Sequence, residues 1–360
     1  MSAVLMVPID ETGALVDSSV TELIQNAVTD TVSDVFVFSH GWWTNADRAM
    51  VDYSRFLLGF NQAVAKTGVP VGLTPPTNSV AIGLHWPSMY SEDPNAFANI
   101  FQVMSFHTME TRTYVVGQRG GHDVIAAIWQ WVIAHPNASL RLHMIGHSFG
   151  CRVACYSFVS AMADVTLLRQ FMNRPAVVRI TLALLEPAMP YDVLALDRPY
   201  GILQSYGQPL RILTTRSDLD TALMNSNYYP AAEATQPADQ FDLSQTPATP
   251  PLAASRLVPA LGGQGPDGAT LAAYNSGNTL RHDLLVDAGF QCTNVAWGRD
   301  RLLVADLTPL HRAHRQQDAV RPPGMPVPPG RPMRPTDPGG YHSDIYCDEV
   351  YQLLIGALFS

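Results

Sequence analysis

The chain has 360 residues, 47% of them apolar, which is enough to bury a large core and excludes a globally disordered polymer. Lys plus Arg number 22 against 31 Asp plus Glu, a formal charge of -9. No stretch concentrates the basic residues, which argues against nucleic acid or an anionic membrane as partner and leaves a mild bias against anionic substrates. Residues 1–8 have neither a basic leader nor a long apolar core, so they do not read as a signal peptide. No apolar run approaches the ~20 residues needed to cross a bilayer. A cytoplasmic location without a membrane span is therefore the expectation. The four cysteines, Cys151, Cys155, Cys292 and Cys347, have neither metal-ligand nor redox spacing, and a Cys292–Cys347 bridge goes against that expected compartment.

In chain order, residues 35–38, 80–84, 140–145, 180–185 and 210–213 are short and nearly continuously apolar. Strands buried on both faces of a parallel sheet look like this. Residues 46–65 and 124–133 carry apolar side chains at helical spacing between them, and 149–162 is a third helix-length segment. The alternation predicts a doubly wound α/β sheet, mostly parallel and flanked by helices. The chain reads as one domain over 1–360. Residues 228–278, rich in Ala, Pro, Gln, Thr and Gly, form a loop-rich insertion that is either a surface excursion or a lid, placed before a last strand at 301–306. Residues 321–338 are a Pro-rich linker. A helix from 345 to about 359, with Ser343 or Asp344 as its N-cap, closes the chain.

Gly146-His147-Ser148-Phe149-Gly150 falls between the strand ending at Ile145 and a helical segment, the setting of a nucleophile elbow. The turn is so tight that side chains at 146 and 150 would strike the neighbouring strand and helix. It lifts the Ser148 hydroxyl to the start of a helix whose dipole favours developing negative charge. An acyl-transfer oxyanion needs waiting N–H donors. The N–H of Phe149 is one; Ser39-His40-Gly41-Trp42-Trp43, after an earlier strand, offers that of Trp42 as the second. Trp42, Trp43 and Trp86 read equally as lining of an apolar pocket or as loop anchors.

Of eleven histidines, those before Ser148 are out of order for a base, and His147 sits in the elbow itself. His282, His311 and His314 have less suitable surroundings. His342, in Gly339-Gly340-Tyr341-His342 just ahead of the final helix, is the candidate base. Asp218 and Asp220 both follow the strand at 210–213 and are candidate acids, each also explicable as a helix N-cap. Glu186, before Pro187, is a third candidate with a more structural aspect.

Together, Phe38-Ser39-His40-Gly41-Trp42, Trp86-Pro87-Ser88, the segment around Ser148, Ser217-Asp218-Leu219-Asp220-Thr221-Ala222-Leu223 and His342-Ser343-Asp344-Ile345 resemble the α/β-hydrolase superfamily. Within it they look like poorly characterised bacterial serine esterase-like hydrolases, over about two-thirds of the chain. Residues 228–278 and 321–338 depart from a minimal hydrolase. The resemblance implies a serine, two residues, the acid, one residue, then Ala-Leu, which lands on Asp220 with Asp218 as the alternative. It implies a Ser148–Asp220–His342 triad, an oxyanion hole from Trp42 and Phe149, and cleavage of a small-molecule ester with an apolar portion, without metal or cofactor. A peptidase, amidase or thioesterase on the same residues, or a non-catalytic binding protein of the same fold, are the rival expectations. Oligomeric state is open.

Overall fold

The computed structural model describes residues 4–69, 74–76, 78–92, 106–174, 178–196, 198, 200–207, 209–224, 229–230, 257–279, 283–322, 324–332 and 340–360. Its centre is one eight-stranded sheet. The strands are β1 (Val4–Pro8), β2 (Asp34–Ser39), β3 (Ser79–His85), β4 (Arg141–His147), β5 (Arg179–Leu185), β6 (Leu210–Arg216), β7 (Leu284–Leu285) and β8 (Leu302–Asp306). They lie in the order β1-β3-β2-β4-β5-β6-β8-β7, and every neighbouring pair is parallel. The chain is thus an α/β protein with a wholly parallel sheet, and all six strands expected from the apolar runs are present.

Parallel pairing demands that each strand be covered on both faces, because its crossovers place helices there. Successive side chains point to opposite faces. Val35 and Val37 of β2, with Leu142, Met144, Ile180, Leu182 and Leu184, enter one core; Phe36 and Phe38, with Ile145, Ala183 and Leu185, enter the other. The first core is covered by α1 (Val20–Ala27), α3 (Phe106–Val116), α4 (His122–Ala134), α5 (Gly150–Ala163) and α6 (Val165–Met172), and the second by α2 (Ala46–Thr67) and the C-terminal helix. Burial of α5 is almost complete, from Cys151 through Val159. Each large apolar side chain so covered contributes about 1.5–3 kcal/mol. At the start of α2, Asn45 Oδ1 accepts from the Arg48 N–H, and Gly68 ends the helix with φ +70°.

Several elements differ from expectation. The edge strand β1 was not foreseen, since five residues of which only Val7 is fully buried give little periodic signal. Residues 257–279, in the insertion, carry the helices α8 (Leu261–Gln264) and α9 (Gly268–Tyr274), after a one-turn α7 (Thr221–Met224) that follows β6. Leu261, Leu271 and Tyr274 are buried in the first core. Asn275 bonds the backbone of Arg301 and Leu302 and so ties this part to β8; it is no surface loop. Residues 231–256 of the insertion lie outside the described residues.

After β8 comes an unexpected helix, α10 (Thr308–Ala319). Pro309 reads as a breaker but occupies the first turn, where a missing N–H costs nothing. The buried face of α10 is largely polar (His311, His314 and Asp318 beside Leu310), which hides its period from a hydrophobic pattern. The final helix, α11, spans Asp348–Phe359 with Cys347 at its N-cap, not Ser343 or Asp344. The Asp344 carboxylate is already taken by His314, at 2.5 Å. All four cysteines are free thiols. Among the described residues, no single helix is long and apolar enough to cross a membrane.

Candidate active site

Parallel strands bring their carboxyl ends to one rim. Ser39 of β2 is in register with Gly146 of β4, and His147 with Leu185 of β5. At that rim Ser148 adopts φ +56°, a left-handed conformation unusual outside glycine. The conformation is held by the Ser148 N–H donating to Leu185 O (3.0 Å) and by Ser148 O accepting from the Ala188 N–H (3.3 Å). The two flanking glycines are sterically required. A Cβ on Gly146 would sit 2.6 Å from the backbone of Cys151, and one on Gly150 would sit 2.1 Å from Ser39 O. Gly41 also packs against Ser148: a Cβ there would lie 2.9 Å from Ser148 Cβ and 3.4 Å from its Oγ.

The loop after β2 is shaped by His40. Its Nδ1–H donates to Gly41 O (2.8 Å), its Nε2 accepts from the Trp86 N–H (3.3 Å), and its ring stacks on Trp86 at 5.2 Å. Burial lowers the His40 pKa to about 3, so the ring stays neutral and can serve both bonds. Ser88 locks the loop further on: its carbonyl accepts from the Trp43 N–H and its hydroxyl from the Thr44 N–H. Trp86 is wholly buried and is an anchor, whereas Trp42 and Trp43 line a cavity with Phe149.

The candidate acid and base meet across 122 residues. His342 Nδ1–H donates to Asp220 Oδ2 at 2.7 Å. Asp220 is fully buried, and its other oxygen accepts from the Leu223 N–H (3.0 Å), so one carboxylate both caps the short helix and holds the imidazole. Asp218 does neither; it is exposed and pairs with Arg216 at 2.9 Å. His342, His147, Ser148, Trp42 and Phe149 all line one cavity of about 430 Å³, with Ala222, Leu223 and Tyr346 as further apolar lining and Arg48, Asp52 and Ser343 as polar lining. His311 and His314 do not line it, and His282 lies outside the described residues.

Three features of this rim escaped the sequence reading. His147 Nε2–H donates to the His342 carbonyl at 2.8 Å, tying the elbow to the loop of the candidate base. Burial, then the neighbouring His342, lowers its pKa to about 3 and keeps it a neutral donor. The His342 loop is clamped from behind by α10: His311 stacks on Tyr341 at 5.6 Å, Tyr341 Oη–H donates to Asp318 (3.0 Å), and His314 bonds Asp344. Arg331, in the Pro-rich stretch, also reaches toward Asp344, at 3.6 Å.

The third is the setting of Glu186, the third candidate acid, whose carboxyl bonds no histidine. It is fully buried at φ +45°, and neither carboxyl oxygen has a hydrogen-bond partner. One of its oxygens and a ring nitrogen each of His147 and His342 lie within 4.8 Å of one another. Burial, then Asp220 and Asp344, pushes its pKa well above the usual carboxylate range. The 3.8 Å approach to His311 Nε2 is no ion pair, because burial also lowers His311, to about 4. No spacing in the sequence betrays this group, since its members end different strands or sit in a distant loop.

Comparison with protein-family models, with curated proteins and with solved structures finds no match for this chain.

Proposed function

We propose that this chain is a serine hydrolase of the α/β-hydrolase superfamily that cleaves carboxylic esters through an acyl-enzyme. The observation that carries the reading is that a strained serine and a histidine bonded to a buried aspartate line the same cavity. With Asp220 accepting from Nδ1–H, His342 keeps Nε2 as the basic nitrogen. Nε2 takes the Ser148 proton as Oγ attacks the ester carbonyl carbon. The oxyanion of the tetrahedral intermediate is met by the N–H groups of Phe149, at the mouth of α5, and Trp42. The imidazolium, stabilised by ionised Asp220, returns the proton to the leaving alkoxide. Water, deprotonated by His342, then releases the acid. Neither a metal nor a cofactor is needed for these steps.

The aromatic and aliphatic lining from Trp42, Trp43, Phe149 and Leu223 favours a substrate with an apolar acyl or alcohol group. Esters are chosen over amides because alkoxides leave without prior protonation of a poor leaving group. A fluorophosphonate probe tests the reading first. Wild type should label and hydrolyse p-nitrophenyl esters; Ser148→Ala should not label and should lose turnover by about 10⁶-fold while remaining folded. Equal labelling of both proteins would sink the assignment of Ser148. Labelling with turnover of amides alone would shift it to an amidase, and a folded wild type that neither labels nor turns over any ester, thioester or amide would make the chain a binding protein.

A further inference from the structure

We propose that His147, Glu186 and His342 form a binding site for a zinc-like divalent cation, and that the bound cation switches the hydrolase off. The donor set is two imidazoles and a carboxylate, the mixture that suits zinc. One atom from each residue lies within 4.8 Å of the other two. Tetrahedral zinc with bonds of about 2.1 Å spaces its ligands by about 3.4 Å, so the three must close by little more than an ångström, a matter of side-chain rotation.

Independent support comes from Glu186 itself. A fully buried carboxyl with neither oxygen hydrogen-bonded is costly, and burying it at φ +45° adds backbone strain. Nothing in the serine mechanism uses it. A cation held between the two histidines gives those oxygens the partner they lack. The surroundings also match a metal site one layer out: His342 already donates Nδ1–H to Asp220, the arrangement that orients a ligating imidazole and raises its basicity. His147 and His342 line the cavity, so a cation entering there reaches them directly and leaves its remaining position to water or a substrate oxygen.

The consequence for turnover rests on the hydrolase reading, while the binding does not. A His342 nitrogen that ligates a metal cannot take the Ser148 proton, so metal and proton transfer are mutually exclusive. Glu186 ligates as its carboxylate, any proton on it passing to solvent; no redox step is involved.

The experiment uses the full chain, stripped with a chelator and titrated with Co²⁺ as a visible-absorption probe and with Zn²⁺ as competitor. One equivalent of Co²⁺ should give the intense bands of a four-coordinate site, displaced by Zn²⁺. Both Glu186→Gln and His342→Asn should weaken Co²⁺ binding by about 100-fold, each checked for folding by circular dichroism. Zn²⁺ at one equivalent should cut p-nitrophenyl acetate hydrolysis at least tenfold, with recovery on adding chelator. Unchanged Co²⁺ affinity in the two folded variants would overturn the site, and activation by Zn²⁺ would overturn the switch. A normal Co²⁺ titration in a wild type that neither labels with fluorophosphonate nor hydrolyses any ester would uphold the site and fail only the hydrolase reading.

Discussion

Ser148 and His342, the proposed nucleophile and base, stand on two differently built halves of the same rim. Around Ser148 the structure is made of backbone: a left-handed turn, two glycines with no room for a Cβ, and main-chain bonds to Leu185 and Ala188. Around His342 it is made of side chains from distant segments: Asp220, His147, and through the loop His314, Asp318 and Arg331. The first half has one steric solution and is intolerant of bulk. The second is a polar network whose members can be exchanged for isosteres, with effects on geometry and proton affinity more than on folding.

The comparison is sharpest at Asp220→Asn. An amide oxygen can keep the bond from the Leu223 N–H, but its NH₂ then faces His342 Nδ1 and forces the wrong tautomer. Turnover should fall by about 10⁴-fold with the fold intact, measured as kcat alongside the thermal midpoint. A loss of stability of several kcal/mol would show that Asp220 serves packing first. Gly150→Ala is the counterpart on the backbone side. Its methyl would meet the carbonyls of Ser39 and His40, which are not free ends that can swing away. Destabilisation of about 3 kcal/mol by urea unfolding is expected, with fluorophosphonate labelling lost in proportion. A variant as stable as wild type would mean that the elbow can relax.

Asp344→Asn loosens the base loop without touching substrate. It should lower kcat by about tenfold and leave KM unchanged, since a misplaced base harms the transition state and not binding. A pure KM effect would place Asp344 in substrate binding instead.

The smallest effect is a pH dependence of stability. Burial holds His40 and His311 near pKa values of about 3 and about 4, against 6.5 for a free side chain. Asp344 and Asp220 oppose that shift at His311, and His314 reinforces it. The unfolded chain therefore binds protons below pH 6.5 that the folded one refuses. These contributions are complete above about pH 6.5 and are lost as pH falls toward 4, at about 1.4 kcal/mol per pH unit for each histidine. His311→Asn should flatten the slope of unfolding free energy between pH 6 and 5 by that amount; an unaltered slope would mean that His311 is already protonated in the folded state.

Much of this was legible in one dimension. The six long strands follow from short, continuously apolar runs, because a strand covered on both faces tolerates little else. The elbow is written in five consecutive residues, although the backbone that leaves Gly150 no room for a Cβ belongs to Ser39 and His40, far away in the chain. His342 was legible by its place in a loop ahead of the last helix. What lay hidden was whatever rests on polar residues meeting at long range. Asp218 and Asp220 differ by two positions; the residues alone left both open, the resemblance favoured Asp220, and the fold turns Asp220 toward His342 and Asp218 toward Arg216.

Helix α10 stayed invisible because its inner face is built of histidines and an aspartate, which pattern as surface until Tyr341 and Asp344 are seen packed against them. Glu186 followed by proline reads as an ordinary strand end. The chain by itself determined where six of the strands and the serine turn fall, because apolar runs and a glycine-flanked turn are written in consecutive residues. The tertiary structure alone decided which carboxylate is bonded and which is stranded, because charge and hydrogen bonding depend on distances that sequence separation does not encode.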